Sequence, residues 1–216
     1  MGSLEAQMSS LGEQLHSIID DKVFAKIDET EVDGEKCLVL SESGQPNSQV
    51  TLLAIPDNLI VLKSDMFMPV LLENPKRLSR GGMYQGPSFF KQGSGAGKRA
   101  DYILLDENAK RVVFWELTEG SKSRKEIQAQ LTGAHAVLDY IRRVVAHFLG
   151  MDFELFIGRG FSYHFAAACK TSYSMRKRNT QFHPQVNGSG NSEENFKKFS
   201  GYCRFYYGEL VDSSIS

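Results

Sequence analysis

Two adjacent apolar segments, ADYILLD (100–106) and RVVFWELT (111–118), constrain the fold of this chain most strongly. The turn-forming tetrapeptide ENAK separates them, so together they predict a β-hairpin. One face of the hairpin would carry Ile103, Leu105, Val112 and Phe114, and the other Tyr102, Leu104, Val113, Trp115 and Leu117. Strands that are apolar on both faces lie inside a sheet that is covered on both sides. The hairpin therefore predicts a central β-sheet with other elements packed against each face.

Further helices and strands are predicted on both sides of this hairpin. The segments predicted to be helical are 3–28, 65–73 and 122–149. The segments predicted to be strands are 35–41, 48–55, 59–62, 153–157, 163–169 and 201–208. This order predicts a single α/β domain over residues 1–216, in which helices flank a central mixed β-sheet and the core spans about 3–170.

The longest predicted helix has one apolar face at helical spacing. The residues expected on that face are Ile127, Leu131, Ala134, Leu138, Ile141, Val145 and Phe148. His135 lies close to this face, so we expect it to pack in the core rather than bind a metal. Arg142, Arg143 and His147 are expected on the opposite, solvent-exposed face.

Two segments are typical of loops. Residues 79–98 contain six glycines and a proline, which predicts a long loop. Its last part, GSGAGK, lacks both the glycine spacing and the Ser or Thr of a P-loop. Residues 170–200 are polar with a basic start, and they predict a flexible basic and polar loop.

Bulk composition narrows the class of protein. The chain is 41% hydrophobic and 24% charged, as is usual for soluble globular proteins, and no apolar run reaches the length of a membrane span. Cys37, Cys169 and Cys203 are widely spaced, which predicts reduced thiols in a cytoplasmic protein. The net charge is −1, so any binding of nucleic acid would depend on local clusters of basic residues.

The hairpin also carries two acidic residues near its open end. If residues 107–110 form the turn, Asp106 pairs with Arg111, and the same register places Asp101 opposite Glu116 with Cα atoms on the order of 5 Å apart. Like charges in that position are destabilising, and burial increases the cost unless a proton or a cation is shared. A divalent cation such as Mg²⁺ is the natural partner.

Ordinary ion pairs are the alternative interpretation of these two carboxylates. Asp101 could pair with Lys98 or Arg99 at the end of the sheet. Glu116 could likewise pair with Lys122 or Lys125.

The segment KRADYILLDENAKRVVFWELTEGSKSRKEIQAQL resembles the core of the PD-(D/E)xK nuclease superfamily, which has the restriction-endonuclease-like fold. In that family an Asp begins one strand, its hairpin partner ends in E-x-K, and the next helix carries a Gln, often followed by Leu. Asp101, Glu116 and Gln130 match these positions, with Gln128 as an alternative to Gln130. The resemblance covers residues 101–131 in detail.

The resemblance implies Mg²⁺- or Mn²⁺-dependent hydrolysis of phosphodiester bonds, with Asp101 and Glu116 as metal ligands. It also implies a nucleic-acid partner, with DNA favoured over RNA, and many domains of this family act as homodimers. A Glu from the N-terminal helix often adds a metal ligand in this family, and Glu13 is the candidate here.

One position departs from the family pattern: Thr118 stands where the motif lysine is expected. Threonine cannot supply a positive charge. Lys125 is the preferred substitute because it lies near the start of the next helix, five residues before Gln130, and Lys122 is the second choice. Alternatively, the domain has lost catalysis and serves as a nucleic-acid-binding or protein-interaction module.

Basic residues that could contact phosphate lie in two places. Lys98 and Arg99 follow the glycine-rich loop and precede Asp101. The segment KTSYSMRKRN interleaves an aromatic residue with cations, a pattern that suits backbone contact and base stacking. Its candidate residues are Lys170, Tyr173, Arg176, Lys177 and Arg178. A solvated loop is the alternative there, and a small phosphorylated ligand bound by the glycine-rich loop is a third functional hypothesis.

Overall fold

The computed structural model describes residues 10–27, 31–32, 34–41, 49–67, 98–119, 122–150, 157–170, 185–200 and 204–212. The helices are α1 (Leu11–His16), α2 (Arg124–Leu149) and α3 (Tyr207–Val211), with short 3₁₀ helices at Asp21–Val23 and Ser64–Phe67. The strands are β1 (Glu31–Val32), β2 (Glu35–Ser41), β3 (Gln49–Leu53), β4 (Leu59–Lys63), β5 (Tyr102–Asp106), β6 (Arg111–Glu119), β7 (Ser162–Lys170), β8 (Gln185–Asn187), β9 (Lys197–Ser200) and β10 (Arg204–Tyr206).

The strands form two sheets. Six strands build a mixed central sheet in the order β4-β5-β6-β7-β9-β8, in which β4, β5 and β6 are antiparallel and β6, β7 and β9 are parallel. A smaller sheet has the order β1-β2-β3-β10. The predicted α/β class and mixed sheet are therefore confirmed, whereas the likeness to the restriction-endonuclease fold stays a hypothesis.

The central hairpin has the predicted register and the predicted faces. Asp106 pairs with Arg111 and Tyr102 pairs with Trp115. Ile103, Leu105, Val112 and Phe114 pack in one core layer with α1 and α2. Tyr102, Leu104, Val113, Trp115 and Leu117 pack in a second layer with the small sheet and α3. Helices flank only one face completely, because a second sheet covers most of the other.

The ends of α2 follow from local hydrogen bonding. Ser123 accepts a hydrogen bond from the Glu126 backbone N–H, and the Glu126 carboxylate accepts one from the Ser123 N–H, which is a capping box. Gly150 ends the helix with φ of 64°, a left-handed conformation that glycine adopts without strain. The predicted apolar stripe is buried through Val145, but Phe148 is 74% exposed. Phe148 lies at the end of α2, where residues 147–150 are all exposed.

The first predicted helix is shorter than its apolar periodicity indicated. α1 ends at His16, and Asp20 then caps a separate 3₁₀ turn through the Lys22 N–H. Local capping by Asp20 competes with continued helix in this stretch. Residues 3–9 of the predicted helix, 68–73 of the second helix and 153–156 of a predicted strand lie outside the described residues.

The prediction of a flexible loop over 170–200 is wrong for its second half. Residues 185–187 form β8, residues 197–200 form β9, and the polar segment between them is closed by its own hydrogen bonds. The Asn195 amide donates to Ser189 Oγ at 2.8 Å, and the Gly190 N–H donates to the Asn195 carbonyl at 2.8 Å. Gly190 also accepts from the Phe165 N–H, which fastens this loop to β7.

The end of the chain also differs from the sequence prediction. Of the final strand expected over 201–208, Arg204–Tyr206 form β10, which pairs in parallel with β3 of the small sheet. Residues 201–203 lie outside the described residues. The chain then forms α3, whose Tyr207 hydroxyl donates to buried Asp106 at 3.3 Å. Within the described residues no helix has both the length and the apolar content of a membrane span.

Candidate metal-dependent active site

The acidic pair lies at the end of the hairpin that is remote from its turn. Asp101 directly precedes β5, and continuing the β5–β6 register by one residue places it opposite Glu116. By the alternation of side chains along a strand, both residues share the α2-facing side with Ile103 and Phe114.

Backbone contacts on three sides hold Asp101 in place. The Leu117 N–H donates to Asp101 Oδ2 at 2.7 Å, and the Ser64 N–H donates to the Asp101 carbonyl at 2.9 Å. The neighbouring residue, Ala100, donates its N–H to the Gln130 carbonyl on α2 at 2.8 Å and accepts a hydrogen bond from the buried Ser64 hydroxyl. The carboxylate of Asp101 is therefore held by β6, its carbonyl by the 3₁₀ helix Ser64–Phe67, and the preceding residue, Ala100, by α2.

A glycine in α2 allows this segment to approach the helix closely. A Cβ built on Gly133 would lie 1.7 Å from the Lys98 carbonyl oxygen and 2.9 Å from the Lys98 carbonyl carbon. Real Cβ atoms do not come so close to backbone atoms, so any larger residue would push residues 98–100 away from α2. An isolated glycine inside a helical pattern is the signal that the sequence offered for this contact.

Glu116 is a buried carboxylate with unequal oxygens. Its side chain is 0% exposed, and Oε1 accepts a hydrogen bond from Lys122 Nζ at 2.7 Å. Oε2 is buried and accepts no hydrogen bond from an N–H or hydroxyl donor in the part of the chain that the structure describes. Burial raises the pKa of Glu116 to about 8, the nearby Asp101 charge adds to the rise, and Lys122 opposes it. A hydrogen bond with Asp101, in which the two carboxyl groups share a proton, also contributes to the raised pKa of Glu116.

Two neutral side chains near the pair also carry buried, unsatisfied oxygens. Thr118 lies two residues after Glu116 on the same face of β6 and is 1% exposed. Within the described ranges neither Thr118 Oγ1 nor Gln130 Oε1 has a hydrogen-bond partner. Buried polar atoms are rarely left in this state, and a bound ion, water or substrate group is one of the usual reasons.

These atoms fit a hydrated divalent cation. Mg²⁺ is commonly held by one or two carboxylates, with waters and substrate phosphates completing its octahedron. Asp101 and Glu116 supply the carboxylates, and the described residues contain no cluster of three or more His, Cys, Asp or Glu that would form a closed protein cage. Two carboxylates are the protein ligands that this part of the chain would offer such a cation.

The structure corrects two expectations about the supporting residues. Lys122, rather than the preferred Lys125, contacts Glu116, and Lys125 is exposed on the first turn of α2. Glu13 is exposed and accepts a hydrogen bond from the Ser10 N–H, so it caps α1. The α1 N-terminus in turn lies against Glu107 in the hairpin turn, about 20 Å along β5 from Asp101.

The candidate nucleic-acid contacts are placed only in part. Lys98 is exposed and lies 3.9 Å from the Glu126 carboxylate at the start of α2, and half-buried Arg99 links it to the site. Lys170 ends β7, but its side chain is outside the described residues, as are Tyr173, Arg176, Lys177 and Arg178. His135 packs against Phe114 and Phe165, as expected, and its Nδ1 lies 2.6 Å from Glu193.

Comparison of the chain with protein-family models, with curated proteins and with solved structures found no match in any of the three. The interpretation of this site therefore depends on its own geometry and chemistry.

Proposed function

We propose that this protein is a metal-dependent nuclease that hydrolyses phosphodiester bonds of nucleic acid. The observation that carries the proposal is the buried Glu116 carboxylate, which lies beside Asp101 with one oxygen on a lysine and the other without an N–H or hydroxyl donor among the described residues. Burial of an ionised carboxylate costs stability unless a proton or a cation compensates it. Carboxyl groups with strongly shifted pKa values concentrate where proteins do chemistry.

Each residue of the site has a distinct task in the proposed reaction. Asp101 and Glu116 would hold Mg²⁺ or Mn²⁺ at the end of the hairpin. When bound, the cation would act as a Lewis acid on the phosphate and lower the pKa of a coordinated water. Gln130, whose backbone contacts Ala100, has a buried amide oxygen that can accept a hydrogen bond from the attacking water.

Lys122 and Thr118 together replace the motif lysine. Lys122 reaches Glu116 from the connection between β6 and α2, where its ammonium can stabilise the charge that develops on the phosphoryl oxygens. Thr118 occupies the motif position but offers only a neutral hydroxyl, which can orient water. Charge and orientation are thus supplied by two side chains.

A second candidate function is a nuclease-like domain that binds nucleic acid or another protein without cleaving it. The observation that favours it is the Lys122–Glu116 ion pair, because an ammonium at 2.7 Å already neutralises the carboxylate. In that case Lys122 would exclude a metal cation from Glu116, and the ion pair would only stabilise the fold.

The two lysines near the site provide the test that separates these functions. For Lys122→Met we expect the rate of phosphodiester cleavage in Mg²⁺ or Mn²⁺ to fall about 10²- to 10³-fold, because a charge at the reacting phosphate is lost. For the matched control Lys125→Met we expect a rate within about twofold of wild type, since Lys125 is exposed and away from Glu116.

Adding Thr118→Lys to the Lys122→Met protein should restore part of the lost cleavage by returning a cation to the motif position. Equal rates for Lys122→Met and wild type would contradict the role given to Lys122. Binding of DNA or RNA by the wild type without any metal-dependent cleavage would favour the second candidate function.

A further inference from the structure

A shallow, open cleft lies near the end of the central sheet that is remote from the acidic pair. A cleft of about 510 Å³ is lined by Arg142 of α2, by Gly158 and Arg159 of the turn before β7, and by Tyr163 of β7. Tyr163 pairs with Val112 near the hairpin turn, whereas Glu116 pairs with Ala167. Arg142 also lies twelve residues beyond Gln130 on α2, roughly 18 Å along the helix axis. The cleft is therefore separate from the acidic pair.

Arg142 is buried, although its position in the sequence predicted a solvent-facing residue. The side chain is 9% exposed, and Nη1 donates to Asp139 Oδ1 at 2.9 Å. Asp139 itself is about half-exposed, which leaves that pair open to solvent on one side.

A second arginine lines the cleft, and a lysine lies near it. Arg159 is exposed on the turn, and Gly160 beside it packs against the Lys110 side chain, since a Cβ on Gly160 would lie 3.8 Å from Lys110 Cδ. The nearest acidic groups of the hairpin turn are engaged elsewhere. Asp106 accepts hydrogen bonds from Ala109 and Tyr207, and Glu107 caps the N-terminus of α1. Asp139 is one acidic group that contacts these cations.

We propose that this cleft binds a phosphate group, held between the guanidinium groups of Arg142 and Arg159. Guanidinium forks suit phosphate because two parallel N–H donors match two of its oxygens. The phosphate could belong to a polynucleotide backbone or to a free phosphorylated molecule, which share this chemistry. The proposal does not depend on the proposed nuclease activity, because it uses neither Asp101 nor Glu116.

The test measures binding of inorganic phosphate and of a 20-nucleotide single-stranded DNA to the full chain by calorimetry. Ionic strength is held constant with NaCl. For Arg159→Ala we expect phosphate affinity to fall at least about fivefold, since an exposed guanidinium is lost while the fold is untouched. Arg142→Lys keeps the charge but loses the fork, so an intermediate decrease is expected. Arg143→Ala, an exposed neighbour on α2, is the matched control and should bind as wild type does.

Suppose that Arg159→Ala lowers the affinity for both phosphate and DNA, and that DNA binding releases about one counterion fewer. This result would identify the nucleic-acid backbone as the ligand. A decrease for inorganic phosphate alone would identify a free phosphorylated molecule. Unchanged phosphate binding in Arg159→Ala, or an equal decrease in Arg143→Ala, would overturn the proposal. Glu116→Gln should bind phosphate in this cleft as wild type does, so a failed nuclease assay leaves this test independent.

Discussion

Glu116→Gln is expected to raise the free energy of unfolding at pH 9 in the presence of EDTA, while it removes metal binding. In the folded protein, burial and Asp101 raise the pKa of Glu116 to about 8 from an ordinary value of 4.5. The folded state therefore binds more protons than the unfolded state between these two values, and stability falls as pH rises through that window. One pKa unit corresponds to about 1.4 kcal/mol, so the amide should gain roughly 3 to 5 kcal/mol at pH 9.

The comparison of wild type with Glu116→Gln across pH isolates this effect. Below about pH 4.5 the Glu116 carboxyl is largely neutral in both the folded and the unfolded protein, so wild type and Glu116→Gln should unfold at similar denaturant concentrations. The gap should then open steadily up to about pH 8. Glu126→Gln is the matched control, because Glu126 is exposed and its pKa is lowered by hydrogen bonds from Ser123. That substitution should not stabilise the protein at any pH, and equal pH profiles for all three proteins would contradict the assignment.

Cation binding by the wild type should strengthen as pH rises, whereas the stability of the metal-free protein falls. A metal requires the ionised carboxylate, so the affinity for Mg²⁺ or Mn²⁺ should weaken about tenfold for each pH unit below about 8. A substitution that stabilises the empty protein and abolishes ligand binding is typical of a site where stability is sacrificed for function.

Gly133→Ala is expected to destabilise the protein, although alanine favours helix over glycine by about 1 kcal/mol. The added Cβ would lie 1.7 Å from the Lys98 carbonyl oxygen, which is backbone and cannot rotate away. Residues 98–100 must then move, and the Ala100–Gln130 hydrogen bond is strained or lost. We expect the free energy of unfolding to fall by roughly 2 to 3 kcal/mol, as in other overpacked cores.

The same substitution should also impair the site, because Asp101 follows directly after the displaced segment. A shift of about 1 Å in a catalytic group can lower the rate on the order of 100-fold. Gly208→Ala is the matched control: Gly208 is also helical, but a Cβ built there meets nothing within 4 Å. That variant should be as stable as wild type or slightly more stable. A Gly133→Ala protein with unchanged stability in urea titration would show that the close approach is not required.

Residue pattern alone predicted the central hairpin, including its register and both of its faces. Two strands that are apolar on both faces are stable only when both faces are buried. The position of the turn ENAK between them then sets the register of their pairing. The covering elements were harder to predict, because periodicity does not say which partner an apolar face meets. The small sheet on the second face, α3 and the ordered polar loop at 188–196 all depend on contacts between residues distant in the sequence.

The site shows the same division between local and distant information. The hairpin register alone predicts that Asp101 lies opposite Glu116. The residues that support this pair could not be predicted in the same way, because Ser64 and Gly133 are distant in the sequence from residues 98–101, which they contact. Lys125 was preferred on proximity to the helix start, but it lies about 200° around α2 from buried Ile127 and so faces solvent. Glu13 was a metal candidate by analogy, and its own capping role explains why it is absent from the site.

The central claim is that the acidic pair binds a divalent cation and cleaves phosphodiester bonds. The most direct test measures cleavage of supercoiled plasmid and of single-stranded RNA in Mg²⁺ or Mn²⁺ by wild type, Glu116→Gln and Glu126→Gln. We expect cleavage of at least one substrate by wild type and by Glu126→Gln, no cleavage in EDTA, and a rate at least about 10³-fold lower for Glu116→Gln. Cleavage that persists in Glu116→Gln, or a wild-type protein that cleaves neither substrate with either metal, would contradict the claim.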